Sequence, residues 1–438
     1  MEWYLALGIL LIPLFLLMGA GIPVAFAFLG VNILGAWLFL GGEVGLAQLV
    51  RNSIGSVNNF ALAPIPLFVL MGEILLHTGL AFRAINAIEQ LIQRVPGRLA
   101  IVGVLGGTTF ATLSGSSIAN TAMMGSVMLP DMLKRGYHPT LAMGPIMAVG
   151  GIAMLIPPSA LIVMFGSLAG ISIAQLLIAG IIPGLLMATC FLAYVILRSR
   201  LRPADAPADD APTSLKGWAR WRPLVRDVLP LFLIFVAVVG SILTGWASPT
   251  ESAAIGVFAT LVATVAYRSV SWKGLIEAVH STVRVSIIIL FVMVASTTFA
   301  QLLSFSGAAS GFLSLIREWN LEPWLLVLGM LAIILVLGCV VEQVSMMMIT
   351  LPFFMPLIAT AGIDPVWFGI LMLIGLEIGL LTPPFGLLLM VMQSVAPPSI
   401  RIGQIYKAAA PFIVIEIAVL GLLFLVPVLA TGLTRWIQ

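Results

Sequence analysis

Long apolar runs separated by short polar stretches recur along the whole chain. A helix that crosses a bilayer needs about 20 predominantly apolar residues, and the first part of the sequence offers such runs at 2–19, 22–40, 61–76, 140–170 and 174–197. Two stretches between the third and fourth runs differ. Residues 83–94 (RAINAIEQLIQR) alternate charged and apolar positions at helical spacing, which predicts a helix lying along the membrane interface. Residues 99–130 have a small, polar centre, TLSGSSIANTAMMG, too polar to cross as one helix, with charges beyond both ends. They read as a re-entrant helical hairpin with its tip near 114–120. A polar stretch over 198–227 then divides the chain, and its Pro/Ala/Asp-rich centre reads as disordered. The second part repeats the plan, with runs at 228–245, 252–267, 285–304, 366–395 and 405–429, an interfacial stretch at 311–319 and a hairpin at 323–358. The expected fold is an all-α polytopic membrane protein. One repeat covers 1–197, a cytoplasmic linker 198–227 and a second repeat 228–438, each repeat having five transmembrane spans and one re-entrant hairpin.

Two of the runs are interrupted. Residues 140–170 read TLAMGPIMAVGGIAMLIPPSALIVMFGSLAG, and 366–395 read VWFGILMLIGLEIGLLTPPFGLLLMVMQSV. Tandem prolines remove two backbone donors and clash with the preceding turn, so each helix must open, at Pro157-Pro158 and at Pro383-Pro384. Opened backbone at membrane depth is tolerated only where it is buried in protein or lines a wet cavity. Each break is therefore a candidate binding site. The second proline pair follows the first by 226 positions, and the same shift pairs Pro23 with Pro249, Gly30 with Gly256, Pro130 with Pro356, Gly136 with Gly362 and Pro139 with Pro365. An internal duplication explains this better than coincidence. Five crossings is an odd number, so the second repeat is inverted relative to the first. Paired broken helices in inverted repeats are the sequence pointer to a secondary transporter's site.

Composition narrows the class without changing it. Of 438 residues, 61% are hydrophobic and 8% charged, against about 25% charged in soluble domains. The net charge of +3 signals no nucleic acid; the basic residues report topology instead. With the linker in the cytoplasm, all of the 20 Lys and Arg except Arg51, Arg317 and Arg435 fall on the cytoplasmic side, and both termini are periplasmic. Cys190 and Cys339 are too few for a disulfide framework or zinc site and read as packing residues. The N-terminal MEWYLALGILLIPLFLLMG lacks a basic n-region and reads as the first span.

The candidate chemistry gathers at the tips and breaks. At the first tip, Ser114-Gly115-Ser116-Ser117 lets backbone approach closely and offers hydroxyls, amides and carbonyls, which suits ions and carboxylates. The alternative is a small-residue helix contact. At the breaks, half-helix N-termini favour an anionic group and C-terminal carbonyls favour a cation. Intramembrane acids are functional candidates. Glu342, in GCVVEQVS, falls opposite Ser116 in the repeat register and either serves a proton or cation path or caps the following helix. Glu377, one to two turns before Thr382, either tunes that site or pairs with another helix. Glu73 reads as interfacial and Glu251, in SPTES, as a helix-start cap. His77, His138 and His280 lie at loops or span ends without metal spacing. GGTTFATLSGSS has no following lysine, so it is not a phosphate loop, and no nucleophile–base constellation is present. The chain does not read as an enzyme.

In order, GIPVAF from Gly21, the tip LSGSSIAN, LIPPS with its preceding glycines, SPTESAA and GLLTPPFG resemble the large membrane subunit of tripartite ATP-independent periplasmic (TRAP) transporters, over essentially the whole chain. The resemblance implies a sodium-coupled importer of organic acids, such as C4-dicarboxylates, sialic acid or other sugar and keto acids. It implies an elevator motion of a hairpin-bearing transport domain against a scaffold in the bacterial inner membrane. Two partners are implied, a small four-helix membrane subunit and a periplasmic binding protein that delivers the carboxylate. Carried over by position, one sodium site comprises Ser114, Ser117, Ala153, Ile156 and Pro158, and a second comprises Gly338, Gly379, Thr382 and Phe385. Thr382 adds a hydroxyl that Ile156 lacks, so the two sites are expected to differ in strength. Substrate is expected between Ser116, Ser117, Asn120 and Thr121 of one tip and Gln343 and Ser345 of the other. Ala153 stands where the family commonly has Gly, and Glu342 where Asp is common. Two other readings remain open at this point: a proton-coupled stand-alone anion transporter, and a non-transporting membrane anchor for a binding protein.

Overall fold

The computed structural model describes residues 2–92, 95–114, 117–206 and 218–436. Among them every regular element is a helix, the form in which a segment in hydrocarbon satisfies its own backbone groups. The chain opens with α1 (Trp3–Gly19), α2 (Val24–Phe39), α3 (Glu43–Val57), α4 (Pro64–His77) and α5 (Leu80–Leu91). A pair of arms follows, α6 (Arg98–Ser114) and α7 (Ser117–Lys134), then α8 (Pro139–Leu155), α9 (Ala160–Ala169), α10 (Ile173–Ala179) and α11 (Ile181–Leu201). Beyond residue 217 come α12 (Trp218–Pro223), α13 (Leu229–Leu243), α14 (Pro249–Ala266), α15 (Trp272–Phe305) and α16 (Ala308–Glu318). The last six are α17 (Pro323–Gly338), α18 (Gln343–Ala361), α19 (Pro365–Leu381), α20 (Leu387–Val395), α21 (Ile402–Leu425) and α22 (Val428–Thr431). Among the described residues, seven helices are long and apolar enough to cross a membrane, or eight if α8 and α9, bent by 47°, count as one span.

Turn chemistry sets several boundaries. Gly21 (φ +82°), Gly79 (φ +74°) and Gly307 (φ +75°) take the left-handed conformation just ahead of α2, α5 and α16, which costs a residue without a Cβ little. Pro139, Pro249 and Pro365 occupy first-turn positions of α8, α14 and α19, where a missing N–H is harmless. Glu251 caps α14 as the sequence suggests: Ser248 N–H donates to Glu251 Oε2 at 2.7 Å, and Ser248 Oγ accepts from Glu251 N–H at 3.4 Å.

The helices pack as two groups. In one, α2, α3 and α14 surround α15 and α4. Polar side chains stitch this group together: Asn32 Nδ2 donates to Ala295 C=O at 2.7 Å, Ser56 and Thr297 hydroxyls meet at 2.6 Å, and Asn52 bonds Gln301. At the far end of α4, His77 lies 3.2 Å from Glu73 and 3.4 Å from Glu277 of α15. In the other group, α8 and α19 form the centre. Every residue of α8 from Thr140 to Leu155 is buried, the environment expected of a helix apolar all round. Around this pair lie α6, α7, α11, α17, α18 and α21.

Several sequence-based boundaries move. The predicted span 285–304 is the second half of α15, one unbroken helix of 34 residues that reaches about 51 Å, since nothing in WKGLIEAVHSTVR breaks a helix. The amphipathic α3, not anticipated, is held by its Asn52 and Ser56 against α15. The predicted run 174–197 is two helices, α10 and α11, meeting at Gly180. A Cβ there would fall 2.1 Å from the Leu155 carbonyl oxygen. Arms α7 and α18 run past residues 130 and 358, carrying Pro130, Pro352 and Pro356 inside them. Likewise α11 continues beyond 198, where Arg198 donates to Asp205 (2.9 and 3.0 Å), Tyr194 (2.9 Å) and Thr140 (2.6 Å). The centre of the predicted linker, 207–217, lies outside the described residues.

The α8–α21 contact depends on Gly144, where a Cβ would stand 2.5 Å from Phe412 Cε2 and 2.7 Å from the Ala408 carbonyl oxygen. Gly144→Ala is expected to overpack this contact at a cost of about 1–3 kcal/mol, seen as a lower midpoint in thermal unfolding of the detergent-purified protein. A midpoint equal to the wild type would contradict the packing described.

Candidate functional site

Both proline-bearing segments are open. Helix α8 closes with Ile156 N–H donating to Ile152 C=O at 3.1 Å, which leaves the carbonyls from Ala153 onward beyond the α-helical ladder. The chain is extended at Ile156 (φ −90°, ψ 124°) and at Ser159, whose hydroxyl accepts from Ile162 N–H at 3.3 Å to cap α9. Ala153, Ile156 and Pro158 are all buried. Helix α19 closes more tightly, with Thr382 N–H donating to Gly379 C=O at 3.1 Å and Thr382 Oγ1 donating to Ile378 C=O at 2.6 Å. Tyr406 of α21 donates to Pro384 C=O at 2.7 Å, fixing the far side of that opening.

The hairpin tips press on these openings. Gly338, at the end of α17, meets Gly379 backbone to backbone: a Cβ on Gly338 would lie 2.4 Å from Gly379 Cα, and one on Gly379 2.7 Å from Gly338 Cα. Phe385 and Glu342 join Gly338 in lining a cavity of about 310 Å³ that is also lined by Phe15 and Met18 of α1 and by Ile22. Three of the residues expected at the second site thus converge around one opening. At the first site, Ser117 opens α7 with its hydroxyl 2.9 Å from the Gly150 carbonyl oxygen, one turn before Ala153, and 3.3 Å from Glu377 Oε2. Ser114 ends α6, while Ser116 lies outside the described residues.

Glu377 is where the two tips meet. Its side chain is buried (1% exposed), and its Oε2 accepts from Gln343 Nε2 at 2.8 Å as well as facing the Ser117 hydroxyl. Ser117 and Gln343 are the first residues of α7 and α18 and correspond under the 226-residue shift. Gln343 Nε2 also lies 2.9 Å from Met154 Sδ. Glu342 has a different position. Its carboxylate accepts from Val344 N–H (3.1 Å), Ser345 N–H (2.9 Å) and Ser345 Oγ–H (2.6 Å), so it caps α18. The Ser345 hydroxyl, expected to face substrate, is turned into that cap. Asn120 and Thr121 are fully buried, and neither the Asn120 amide atoms nor Thr121 Oγ1 has a hydrogen-bond partner. Buried polar groups left this way are the ones a ligand or water satisfies.

Sequence reading missed Glu416, on α21, which is fully buried beside Glu377. An acid alone in the apolar run 408–425 was the signal available for it.

A family model described as "Tripartite ATP-independent periplasmic transporter, DctM component" matches residues 11–429. The 2,3-diketo-L-gulonate TRAP transporter large permease protein YiaN of Escherichia coli K12 is 32% identical over 421 residues, covering 95% of this chain and 96% of that one. The C4-dicarboxylate TRAP transporter large permease protein DctM of Pseudomonas aeruginosa is 30% identical over 380 residues, covering 86% and 87%. In fold, the chain is similar to the YdaH transporter of Alcanivorax borkumensis, with a TM-score of 0.62 over 88% of this chain and 89% of that one at 15% identity. A match of this extent, on a chain with apolar helices of spanning length, makes the protein a member of the DctM family of TRAP transporters, a multi-pass permease of the bacterial inner membrane rather than an enzyme.

Proposed function

We propose that this permease imports an organic acid in exchange for the free energy of a sodium gradient, with substrate and cation bound between the two hairpin tips and the two helix breaks. The observation that carries the reading is the meeting of both tips on Glu377, beside carbonyls released by both breaks. Relatives named for 2,3-diketo-L-gulonate and C4-dicarboxylate support a carboxylate substrate. In this reading, carbonyls of Ala153, Ile156 and Pro158 with the hydroxyls of Ser114 and Ser117 hold one sodium ion. The carbonyls of Gly338, Gly379 and Phe385 with Thr382 hold the other. Helix-end carbonyls suit a hard cation, which takes oxygen ligands. The acid's carboxylate is received by Ser116, Ser117, Asn120, Thr121 and Gln343, whose donors include buried groups lacking other partners.

The halves of the chain act as inverted repeats. Their shared shift of 226 positions pairs Gly136 with Gly362, which stand at φ +83° and +65°, and Pro139 with Pro365, which open α8 and α19. The group built on α8 and α19 is the transport domain, and the group around α4 and α15 is the scaffold. Sliding of one against the other, elevator-fashion, carries the site across the membrane. A periplasmic binding protein delivers the acid, and a small four-helix membrane subunit braces the scaffold, the third component of a tripartite system. The distribution of Lys and Arg supports periplasmic termini and a cytoplasmic linker.

Uptake into proteoliposomes holding all three components is the direct test, using C4-dicarboxylate and sugar-acid probes. Sodium-driven uptake is expected; uptake driven by pH and indifferent to sodium would favour a proton-coupled carrier, and binding-protein docking without uptake would favour an anchor. Thr382→Ala removes one proposed ligand and is expected to raise the half-saturating sodium concentration about tenfold, or about 1.4 kcal/mol. Unchanged sodium activation at normal expression would remove Thr382 from the site. Replacing Pro157 and Pro158 together by Ala is expected to let α8 run on into α9, abolishing uptake while membrane insertion persists. Wild-type transport by that variant would show the opening to be dispensable.

A further inference from the structure

Away from the tips and breaks, the start of α8, the end of α11 and the start of α21 converge around a cavity of about 500 Å³, a volume in the range of small-ligand sites. Four basic side chains line it, those of His138, Arg198, Arg202 and Lys407, and no acidic residue does among the described ones. Part of the wall is fixed by hydrogen bonds. Arg198 donates to Asp205 Oδ2 (2.9 and 3.0 Å), to the Tyr194 hydroxyl (2.9 Å) and to Thr140 Oγ1 (2.6 Å), so it frames the cavity and is spent on that wall. His138 N–H donates to Asp205 C=O at 2.9 Å, and its ring Nδ1 accepts from Thr140 N–H at 3.4 Å. With Nδ1 an acceptor, the proton of the neutral ring belongs on Nε2, which is then a donor.

The charges around this cavity do not balance. Asp205 compensates Arg198, but Arg202 and Lys407, both exposed, have no ion-pair partner among the described residues; Asp209 and Asp210 lie outside them. Two uncompensated cations lining one cavity favour an anion between them. Its depth narrows the choice of anion. Residues 173–201 and 402–425 are both apolar and long enough to span. Arg202 follows the first directly, and Lys407 stands in the second turn of the other. That is the level at which a bilayer places its headgroups. The cavity is also lined by Leu197, Leu201 and Pro411. Leu197 is 56% exposed and Leu201 72%, and Val414, three residues beyond Pro411, is 65% exposed. A basic cavity thus adjoins an apolar outer face of the same two helices, a pairing suited to a molecule with a charged head and hydrocarbon tails.

We propose that this cavity binds the phosphate of an anionic phospholipid, with Arg202 and Lys407 as its charged donors and its acyl chains along Leu197, Leu201 and Val414. Arginine meets phosphate through paired N–H groups and lysine as a point charge, and His138 Nε2 adds a neutral donor. Basic pockets between spans, at the level of the headgroups, are suited to such lipids. A zwitterionic headgroup is the poorer guest, because it brings a cation of its own among the basic side chains. Once seated, the phosphate bridges the end of α11 and the start of α21, replacing repulsion between Arg202 and Lys407 by a shared counter-charge.

Native mass spectrometry of the full-length, delipidated protein tests this, with phosphatidylglycerol and phosphatidylcholine of equal chain length added to the detergent. The wild type is expected to retain phosphatidylglycerol in preference to phosphatidylcholine, and millimolar inorganic phosphate is expected not to displace it. Arg202→Gln and Lys407→Gln are each expected to raise the half-saturating phosphatidylglycerol concentration about fivefold. The double variant is expected to retain one phosphatidylglycerol fewer than the wild type, whereas Lys407→Arg, which keeps the charge, binds as the wild type does. Equal retention of the two lipids, an unchanged count in the double variant, or loss of lipid in Lys407→Arg would each overturn the proposal. Displacement by inorganic phosphate would overturn it in favour of a free-anion site. If the double variant does not fold, the lipid preference of the wild type and its response to phosphate still decide.

Discussion

A single carboxylate oxygen, Glu377 Oε2, faces donors from the first residue of each hairpin's second arm. That contact matters because of the constraint beneath it. Backbone opened at membrane depth must be enclosed by protein, and here the enclosing elements are the tips themselves. Gly338 lies flat on Gly379, and Ser117 reaches the Gly150 carbonyl. The openings and their covers are thus one assembly, and the residue linking the covers sits one turn from the end of α19.

Much of this was legible from local chemistry. Proline acts on its own turn, so the interruptions near Pro157 and Pro383 could be placed from sequence, and the order of short motifs pointed to the family that the whole-chain match establishes. Glu251 was legible as a cap for the same reason, since its partner Ser248 is three residues away. Features set by distant partners were not. Helix α3 looks unremarkable until its Asn52 and Ser56 meet α15, some 240 residues on in sequence. Glu342 could be either cap or coupling group until the amides of Val344 and Ser345 were seen to claim it. Glu416 escaped notice because its importance comes from Glu377 and Gly151, on two other helices.

The glycines before the first break illustrate how one residue type serves two ends. In the sequence Gly150-Gly151 are simply the glycines that precede the LIPPS motif. In the fold both lie within the helix, which runs unbroken to Leu155. Their contribution is absence of side chain: Ser117 and Glu377 crowd one, Glu377 and Glu416 the other. Packing, rather than flexibility, is what these positions supply.

The cap on α18 has a consequence for how an acid is received. Helix N-termini are natural cradles for anions, and the second tip would be one, except that Glu342 already fills it with a carboxylate of its own. Any incoming carboxylate drawn to those amides meets a tethered rival, held at high effective concentration by the shortness of its leash. The amides that open α18 are therefore already claimed by a carboxylate of the chain itself.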